Sequence, residues 1–491
     1  YEGTTVLITG LIAAGDNPFT REFQPAAMYV YPPLYNLLVA PLTLWFDNTL
    51  QLHRQVSAVL IIASCLVCAG TVYHCGRSWR QSLAAAATLY AALLFYSTPV
   101  ASSNALGVCL YLLILAIPWR YDFAAPSLAL ACGLGVLAFY AKQYFILSMA
   151  MLCLYLFLYV SVRRALLLGC AYALLLLASL ALVHQSSPYY LDNTLFSPAV
   201  AMTRLQMPTV ARTQFAAFFR LYWPLLLILG YWGVLRARET GWRQLLSGIA
   251  DAYRPWRAGS GGKAYPANHF FWFCLVWASL VVFFSLGRNP GNYLSYLFQL
   301  MSPLLLIVCF GLLSVQDSKL RILAPLVLVC FYQVYALLPD DFSTTEENWA
   351  RVEQLISEHE EILASQMLVA TLLKYQREVE QDGHTFYFPL AENKPDYFAK
   401  PRSEARVAAV WKAYITAIYK KIEAGRYDLI MVTPWDGNGI FNNNPPAFSD
   451  MDGMTFLKNY YYLDETLALS MTERHGGGTY ALRIWRPKPG P

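Results

Sequence analysis

The stretch 56-VSAVLIIASCLVCAGTVYHC-75 sets the fold class of this chain, because none of its 20 residues is Asp, Glu, Lys or Arg. A helix of about 20 mostly apolar residues is long enough to cross the hydrocarbon core of a bilayer. Apolar runs of similar length recur along most of the chain. The sequence therefore predicts a polytopic α-helical membrane protein.

The composition of the whole chain agrees with this prediction. Of 491 residues, 57% are hydrophobic and 14% are charged, whereas an ordinary soluble domain has roughly 45–50% and 25%. This balance excludes intrinsic disorder and argues against a simple soluble enzyme. The net charge of +5 is too small to indicate nucleic-acid binding, so membrane lipid is the expected environment.

Charge divides the chain into two parts. Residues 340–491 hold 16 of the 36 Lys and Arg and 22 of the 31 Asp and Glu, which leaves 20 and 9 for residues 1–339. The 10 cysteines all precede residue 340, in or beside apolar runs, so no disulfide framework is indicated. We predict an external loop with interfacial helices (1–55), a transmembrane domain (56–339) and an extracytoplasmic soluble α/β domain (340–491).

About ten membrane spans are predicted from the apolar runs. They are Val56–Cys75, Gln81–Tyr96, Asn104–Pro118, Pro126–Tyr140, Tyr144–Val160, Ala165–Val183, Gln214–Leu235, His269–Leu286, Tyr293–Leu313 and Ile322–Leu338. The loops on one face carry 13 Lys and Arg, and the opposite loops carry six. Since Lys and Arg concentrate in cytoplasmic loops, the first face is predicted to be cytoplasmic in a cell (inner) membrane.

The beginning of the chain and its C-terminal domain then lie outside the cytoplasm, so one further span is expected before Tyr1. The external segment contains Tyr29-Val30-Tyr31-Pro32-Pro33-Leu34-Tyr35, followed by a short apolar helix to about Phe46. A helix of about 13 residues with tyrosines at its start suits the membrane interface. An ordinary connecting loop is the alternative.

The C-terminal segment predicts a small mixed α/β fold. The expected elements are a charged helical stretch at Asn348–Glu380, a strand at Thr385–Leu390, a helix at Arg402–Ala424 that Gly425 ends, a strand at Tyr427–Thr433, and a hairpin of Leu467–Thr472 with Thr479–Trp485. The Asn- and Pro-rich loop Asp436–Asp452 either contacts a sugar or is simply a turn.

Acidic residues are scarce on the predicted outer face. The five that precede the C-terminal domain there are Glu2, Asp16, Glu22, Asp47 and Asp192, and a positioned carboxylate is a common general base. Glu2 follows the expected upstream span, at the membrane boundary. Asp16 opens a turn, where an Asp often has only a structural role.

Basic residues on the same face are also few. Lys142 lies between two apolar runs; it either snorkels to the interface or binds a phosphate or carboxylate. Arg288 opens a polar external turn and suits either bidentate phosphate binding or anchoring at the interface. Weaker candidates are His53, Arg54, Arg204 and Arg212.

Several short motifs resemble one enzyme family. Tyr1-Glu2-Gly3, Gly15-Asp16-Asn17-Pro18-Phe19 and Tyr31-Pro32-Pro33-Leu34-Tyr35 with Ala40-Pro41-Leu42 are similar to the first external loop of C-type (GT-C) polyprenyl-phosphate-sugar-dependent glycosyltransferases. The similarity is to the bacterial branch that includes protein mannosyltransferases and the aminoarabinose transferase. Ala141-Lys142-Gln143 resembles a Thr-Lys-containing turn of that family, and Gly291-Asn292-Tyr293 with Pro303 resembles a late external motif.

This resemblance implies a hexosyl- or pentosyltransferase of the cell envelope with its active site on the outer face. Glu2 would be the general base of an inverting transfer to an acceptor hydroxyl, alone or with Asp16, because the acidic pair frequent in the family is reduced here to Tyr1-Glu2. Lys142, Arg288 and Arg204 would bind the donor phosphate. The substrate or lipid path would be lined by Tyr29, Tyr31, Tyr35, His53, Asn292 and Tyr293.

The donor would be a polyprenyl-phosphate sugar, and the acceptor a glycan, lipid or protein. No metal ligands are assigned, although a divalent metal requirement stays open, and the soluble domain could contact protein partners. Two other classes remain as alternatives: a catalytically inactive accessory subunit of a larger membrane assembly, and a transporter. Convergence of Glu2, Lys142 and Arg288 on one outer cavity would favour the enzyme.

Overall fold

A computed structural model of the chain describes residues 2–24, 26–93, 102–196, 207–241, 269–285, 297–315, 343–380, 403–433, 453–470 and 479–489. The described part is mostly helical, with a small sheet near the C-terminus. The predicted span Ile322–Leu338 and strand Thr385–Leu390 lie outside the described residues. The same holds for the turn of the C-terminal hairpin and for the Asn- and Pro-rich loop from residue 436.

The chain begins with a helix that the sequence did not predict. Helix α1 is Glu2–Ala13, and a loop leads from it to α2, Leu34–Val39, which a 3-10 turn at Ala40–Leu44 extends. Pro33 directly precedes α2, as expected of a residue that favours a helix start. Leu44, Trp45 and Phe46 at the end of this segment are exposed apolar residues, and placement of the segment at the membrane interface stays a prediction.

Apolar helices form most of the rest of the chain up to residue 315. They are α3 Leu50–Gly76, α4 Trp79–Ala92, α5 Ser103–Arg120, α6 Ala125–Ala141, α7 Ile146–Tyr155, α8 Val162–Ser186, α9 Met207–Thr240, α10 His269–Ser285 and α11 Ser302–Val315. A 3-10 turn at Gln143–Phe145 precedes α7, and π-helical turns at Leu156–Val160 and Leu297–Met301 adjoin α7 and α11.

Within the described residues, 4 helical segments are long and apolar enough to cross a membrane: Leu50–Gly76, Ser103–Arg120, Gln143–Val160 and Val162–Ser186. Each overlaps a predicted span. Shorter apolar helices also overlap predicted spans, at Ala125–Ala141, Tyr222–Leu235, His269–Val282 and Gln299–Leu313. The chain is thus a helical membrane protein in outline, whereas the prediction of about ten spans stays a prediction.

One end of this helical bundle is rich in arginine. The ends of α3 and α5 meet there, where Arg120 Nε donates to His74 Nε2 at 3.1 Å, and Arg164 at the start of α8 donates to the Phe123 carbonyl at 3.2 Å. Arg77 and Arg80 lie over the rings of Tyr73 and Trp79. Cationic and aromatic side chains together are typical of a membrane interface. We call this end, with Arg77, Arg80, Arg120, Arg163 and Arg164, the arginine end.

The opposite end carries the segments with candidate functional residues. Thr49 and Ser102 cap the starts of α3 and α5 there, through hydrogen bonds from the amides of Leu52 and Asn104. Asn17, in the loop after α1, donates to the Ser186 carbonyl at the end of α8 at 2.9 Å. We call this the loop end; it includes residues 2–54, the start of α5 and the turn between α6 and α7.

The C-terminal region is α/β, as predicted. It contains α12 Ser343–Glu358, β1 Ile362–Ala364, α13 Val369–Lys374, α14 Ser403–Glu423, β2 Leu429–Val432, α15 Gly453–Tyr460, β3 Tyr461–Ser470 and β4 Thr479–Pro487. The strand order is β1-β2-β4-β3, with β1 and β2 parallel and the other pairs antiparallel.

Two details of this region differ from the sequence prediction. The helical stretch predicted at Asn348–Glu380 is wrong as a single helix, because β1 interrupts it and pairs with Leu429–Met431. Helix α15 was not predicted. The C-terminal hairpin, the helix α14 and the role of Gly425 are confirmed; Gly425 has φ +61, a conformation that favours glycine after a helix.

Candidate functional site

Glu2 forms an ion pair with Arg54 at the loop end. The contact is bidentate: Arg54 Nη2 donates to Oε2 at 2.8 Å and Nε donates to Oε1 at 3.3 Å. The Glu2 side chain is 24% exposed and that of Arg54 is 48% exposed. The fork of a guanidinium fixes the plane of a carboxylate, so this pair orients Glu2 while solvent or substrate still reaches it.

Neutral hydrogen bonds hold the helices on either side of this pair. Asn48 donates to the Val6 carbonyl at 3.0 Å, and its Oδ1 lies 3.1 Å from His53 Nε2. The Asn36 amide group donates to the Thr5 carbonyl and to Thr9 Oγ1, both at 2.9 Å. The start of α3 is therefore tied to α1, and these bonds set the position from which Arg54 reaches Glu2.

Tyr35 and His53, both predicted to line a substrate path, are packed inside the protein. Both are 0% exposed. The Tyr35 hydroxyl donates to the His53 carbonyl at 2.8 Å and lies 3.1 Å from Ser57 Oγ. These contacts join α2 to α3. In this structure the two residues support the Glu2–Arg54 pair.

Lys142 forms a second polar group at the loop end. Its side chain is only 4% exposed, and its Nζ donates to Asn104 Oδ1 at 2.7 Å. The ammonium lies 4.4 Å from the centre of the Tyr31 ring and 5.3 Å from that of Tyr144. Both rings are within the distance at which an aromatic face attracts a cation. Lys142 therefore points into the protein and does not snorkel to the surface.

Local backbone geometry places Lys142 there. Helix α6 ends at Ala141, and Lys142 takes an extended conformation, with φ −163 and ψ 132, before the 3-10 turn begins. Gln143 then donates to the Thr194 carbonyl at 2.6 Å. The hydroxyl of Tyr144 donates to Gln299, which is 0% exposed. The turn after α6 thus presents consecutive polar side chains to neighbouring helices.

The segment from residue 28 to 36 connects the two polar groups. Tyr31 covers Lys142, whereas Tyr35 and Asn36 bind the helices that carry Arg54 and Glu2. Tyr29 packs edge to face on Tyr31, with ring centres 5.8 Å apart. Among the described tyrosines that were predicted to line a path, Tyr31 is therefore in direct contact with a candidate phosphate-binding group.

Asp16 lies away from Glu2. Glu2 begins α1, whose 12 residues span about 18 Å, and Asp16 follows in the turn beyond its other end. Asp16 is exposed and follows Gly15, which has φ +89. The structure does not bring the two carboxylates together, and the position of Asp16 agrees with a turn residue.

Several predicted site residues lie outside the described residues: Arg204, Arg288, Asn292 and Tyr293. Their convergence with Glu2 and Lys142 stays a prediction. Among the described residues, no group of three or more His, Cys, Asp and Glu side chains could hold a metal ion.

Sequence reasoning missed the partners of both candidate residues. Arg54 was a weak candidate, and Asn104, Tyr144 and Gln299 were not considered. A usable signal existed for Gln299, a polar side chain inside the predicted span Tyr293–Leu313, since polar groups at membrane depth are mostly functional or paired. Asn104 stands at the edge of its predicted span, where a polar residue is ordinary.

The chemistry available at the loop end is an oriented carboxylate, an arginine beside it, and a buried ammonium among amide and phenol groups. A carboxylate can accept a proton, and an ammonium in a water-poor site binds a negative charge more strongly than in water. No protein-family model matches this chain, and no curated protein matches it.

Proposed function

We propose that this chain is a membrane glycosyltransferase that moves a sugar from a polyprenyl-phosphate donor to an acceptor hydroxyl on the outer face of the cell membrane. The observation that carries the proposal is the burial of Lys142 among polar and aromatic side chains at the same end of the bundle as the oriented carboxylate of Glu2. The motif resemblance of the first external loop supports the same chemistry.

The proposed reaction needs one proton acceptor and one stabiliser of negative charge. Glu2 removes the proton of the acceptor hydroxyl while that oxygen attacks the anomeric carbon. The bond between the anomeric carbon and the donor phosphate oxygen breaks with inversion, and its electron pair leaves on the lipid phosphate. The proton ends on Glu2, and the two products are the glycoside and the free lipid phosphate.

Lys142 acts on the leaving group in this proposal. A sugar phosphodiester carries one negative charge, and the released phosphate monoester approaches two. A fixed cation therefore binds the transition state more tightly than the ground state, which raises the rate of the chemical step. The amide of Asn104 holds Lys142 in place, and the rings of Tyr31 and Tyr144 flank its ammonium. We call these contacts of Lys142 with Asn104, Tyr31 and Tyr144 the Lys142 pocket.

The experiment is a transfer assay with the purified full chain and a panel of polyprenyl-phosphate hexoses and pentoses. Glu2→Gln is expected to lower kcat at least 100-fold, because general-base catalysis contributes about 10²–10⁴-fold. The amide can still accept a hydrogen bond from Arg54, so the fold should survive. Asp16→Asn is the matched control and should retain full activity, since Asp16 lies beyond the other end of α1.

Two results would contradict the proposal at different levels. Full activity of Glu2→Gln would remove Glu2 from the mechanism while leaving the reaction class intact. Release of lipid phosphate by no member of the donor panel, with a correctly folded chain, would refute sugar transfer from these donors and favour the accessory alternative.

A further inference from the structure

The C-terminal α/β region touches the helix that carries Glu2. A Cβ atom on Gly3 would lie 2.7 Å from the backbone nitrogen of Ala370 and 2.8 Å from the Cβ of Val369, both in α13. Such distances mean that α1 and α13 meet at the backbone, an approach that glycine permits. The residue next to Glu2 is therefore packed on the α/β region.

The same region also incorporates part of the first external loop into its core. Met28 is 0% exposed and Val30 is 5% exposed, and both belong to an apolar cluster with Tyr419, Tyr427 and Trp485. This cluster covers one face of the sheet. The loop segment is thus a structural element of the α/β region, although it precedes that region by more than 300 residues in sequence.

Each contact lies one residue from a candidate functional group. Gly3 follows Glu2, and Val30 precedes Tyr31, whose ring is 4.4 Å from Lys142 Nζ. Val30 and Tyr31 are joined by one peptide bond, with Cα atoms about 3.8 Å apart, so a change in the packing of Val30 acts on the backbone that carries Tyr31. Tyr31 itself packs partly against the same cluster.

We propose that the α/β region positions the Lys142 pocket, and that Val30 is the positioning residue through which it acts. Its effect on catalysis rests on the proposed function. The positioning of Tyr31 over Lys142 does not rest on the proposed function, because the protection of Lys142 by Tyr31 can be measured in the absence of any reaction. If the contacts served only to attach the α/β region, loosening Val30 would leave Lys142 as protected as before.

The test compares two identical truncations of buried valines in the full-length chain. Val30→Ala loosens the cluster on the loop face of the sheet, and Val352→Ala is the matched control on the other face. Val352 is 0% exposed and packs with Leu355, Ile362 and Leu482. The measurement is the rate at which a small amine-reactive reagent labels Lys142, quantified by peptide mass spectrometry. The exposed Lys458 in α15 and Lys374 in α13 are reference lysines of the α/β region whose labelling rates should not change.

Val30→Ala is expected to raise the labelling rate of Lys142 roughly tenfold. Truncation of a buried valine lowers the free energy needed to open the loop around Lys142, and the labelling rate rises in proportion to the opened fraction. Val352→Ala should leave the rate within about twofold. In the transfer assay, Val30→Ala should lower kcat/KM for the donor about tenfold, mainly through kcat, and Val352→Ala should change neither kcat nor KM.

Equal labelling of Lys142 in the wild type and in Val30→Ala would overturn the proposal, and so would an equal rise in both variants, since that would report general loosening. Protease resistance of the α/β region checks that each variant folds. Should Val30→Ala fail this check, the pair Met28→Ala and Leu355→Ala repeats the comparison with buried residues of the same two clusters. A chain inactive towards every donor would refute the proposed function and leave the labelling result decisive for the positioning role.

Discussion

Replacement of Gly107 by alanine tests the packing beneath the Lys142 pocket. Gly107 lies in α5, one turn after Asn104, and a Cβ atom there would be 2.5 Å from Phe145 Cδ2 and 2.7 Å from Phe145 Cζ. Ordinary van der Waals contact begins near 3.4 Å. The Phe145 ring must therefore move by about 1 Å or more, or α5 must retreat from it.

The magnitude follows from two opposing terms. Overpacking of a filled core costs about 1–3 kcal/mol, and the upper value applies here because Phe145 is 0% exposed and packs on Tyr111 and Tyr144, with ring centres 6.1 and 4.4 Å away. Alanine recovers about 1 kcal/mol through its better helix propensity. The net destabilisation is about 2 kcal/mol, which raises the opened fraction of the bundle roughly 30-fold.

The buried cysteines of the bundle provide the assay. Cys65, Cys68, Cys109, Cys132, Cys274 and Cys309 have buried thiol side chains, so a thiol-reactive fluorophore reports the opening of the bundle as the detergent-solubilised protein is heated. Gly107→Ala should react at a lower temperature and at a higher rate than the wild type. Cys170 is exposed and supplies the constant baseline.

Gly133→Ala is the matched control, because a Cβ atom on this helical glycine meets nothing within 4 Å. It gains helix propensity without a clash, so its labelling rate should stay at or below that of the wild type. Phe145→Ala combined with Gly107→Ala should cost less than the sum of the two single changes, since the truncated ring no longer meets the new methyl group. Equal behaviour of Gly107→Ala and Gly133→Ala would refute the packing of Phe145 on α5.

Two further predictions concern single side chains. Lys142→Met keeps a similar volume and removes the charge that is proposed to stabilise the leaving phosphate. A hydrogen bond to a charged group contributes about 1.5–3 kcal/mol, so kcat/KM for the sugar donor should fall at least tenfold, mainly through kcat, and an unchanged kcat/KM would exclude this role of Lys142. In the α/β region, burial raises the pKa of Tyr461 to about 12, above the ordinary tyrosine value of about 10 that applies to the unfolded chain. The neutral phenol therefore stabilises the folded state fully below about pH 10, and this stabilisation is lost as the pH rises towards 12. The tyrosinate absorbance of the wild type minus that of Tyr461→Phe should show this titration, and a midpoint near 10 would contradict the burial.

The positions of the apolar helices could be predicted because they depend on local composition. The run Val56–Cys75 lies within α3, and Ala165–Val183 lies within α8. In a bilayer every backbone polar group needs an internal partner, so a long apolar run has few conformations open to it besides a helix. Length and hydropathy together therefore sufficed for these elements.

The strand β1 could not be predicted in the same way. Ile362, Leu363 and Ala364 fit an apolar stripe of a helix as well as a buried strand, and both neighbouring segments form helices. The deciding interaction is the parallel pairing with Leu429–Met431, which is remote in sequence. A short apolar run has no periodicity that separates the two conformations.

The candidate site shows the same division between local and remote information. The scarcity of acids on the predicted outer face singled out Glu2, and the isolated charge of Lys142 between apolar runs singled out that residue. Their partners could not be derived, because Arg54 and Asn104 are 52 and 38 residues away in sequence and meet them only through helix packing. Arg204 and Arg288 remain predictions.

The burial of Lys142 argues for a role of its charge beyond packing. An ammonium removed from water carries a large desolvation cost, and the contacts of Lys142 with the Asn104 amide oxygen and with the rings of Tyr31 and Tyr144 offset part of it. A methionine would fill a similar volume without that cost, and an interface anchor would place the ammonium in water. Binding of a phosphate would convert the same desolvated charge into a strong attraction. The amide of Asn104 and the rings of Tyr31 and Tyr144 therefore hold an ammonium whose charge would bind the anionic donor phosphate under the proposed function.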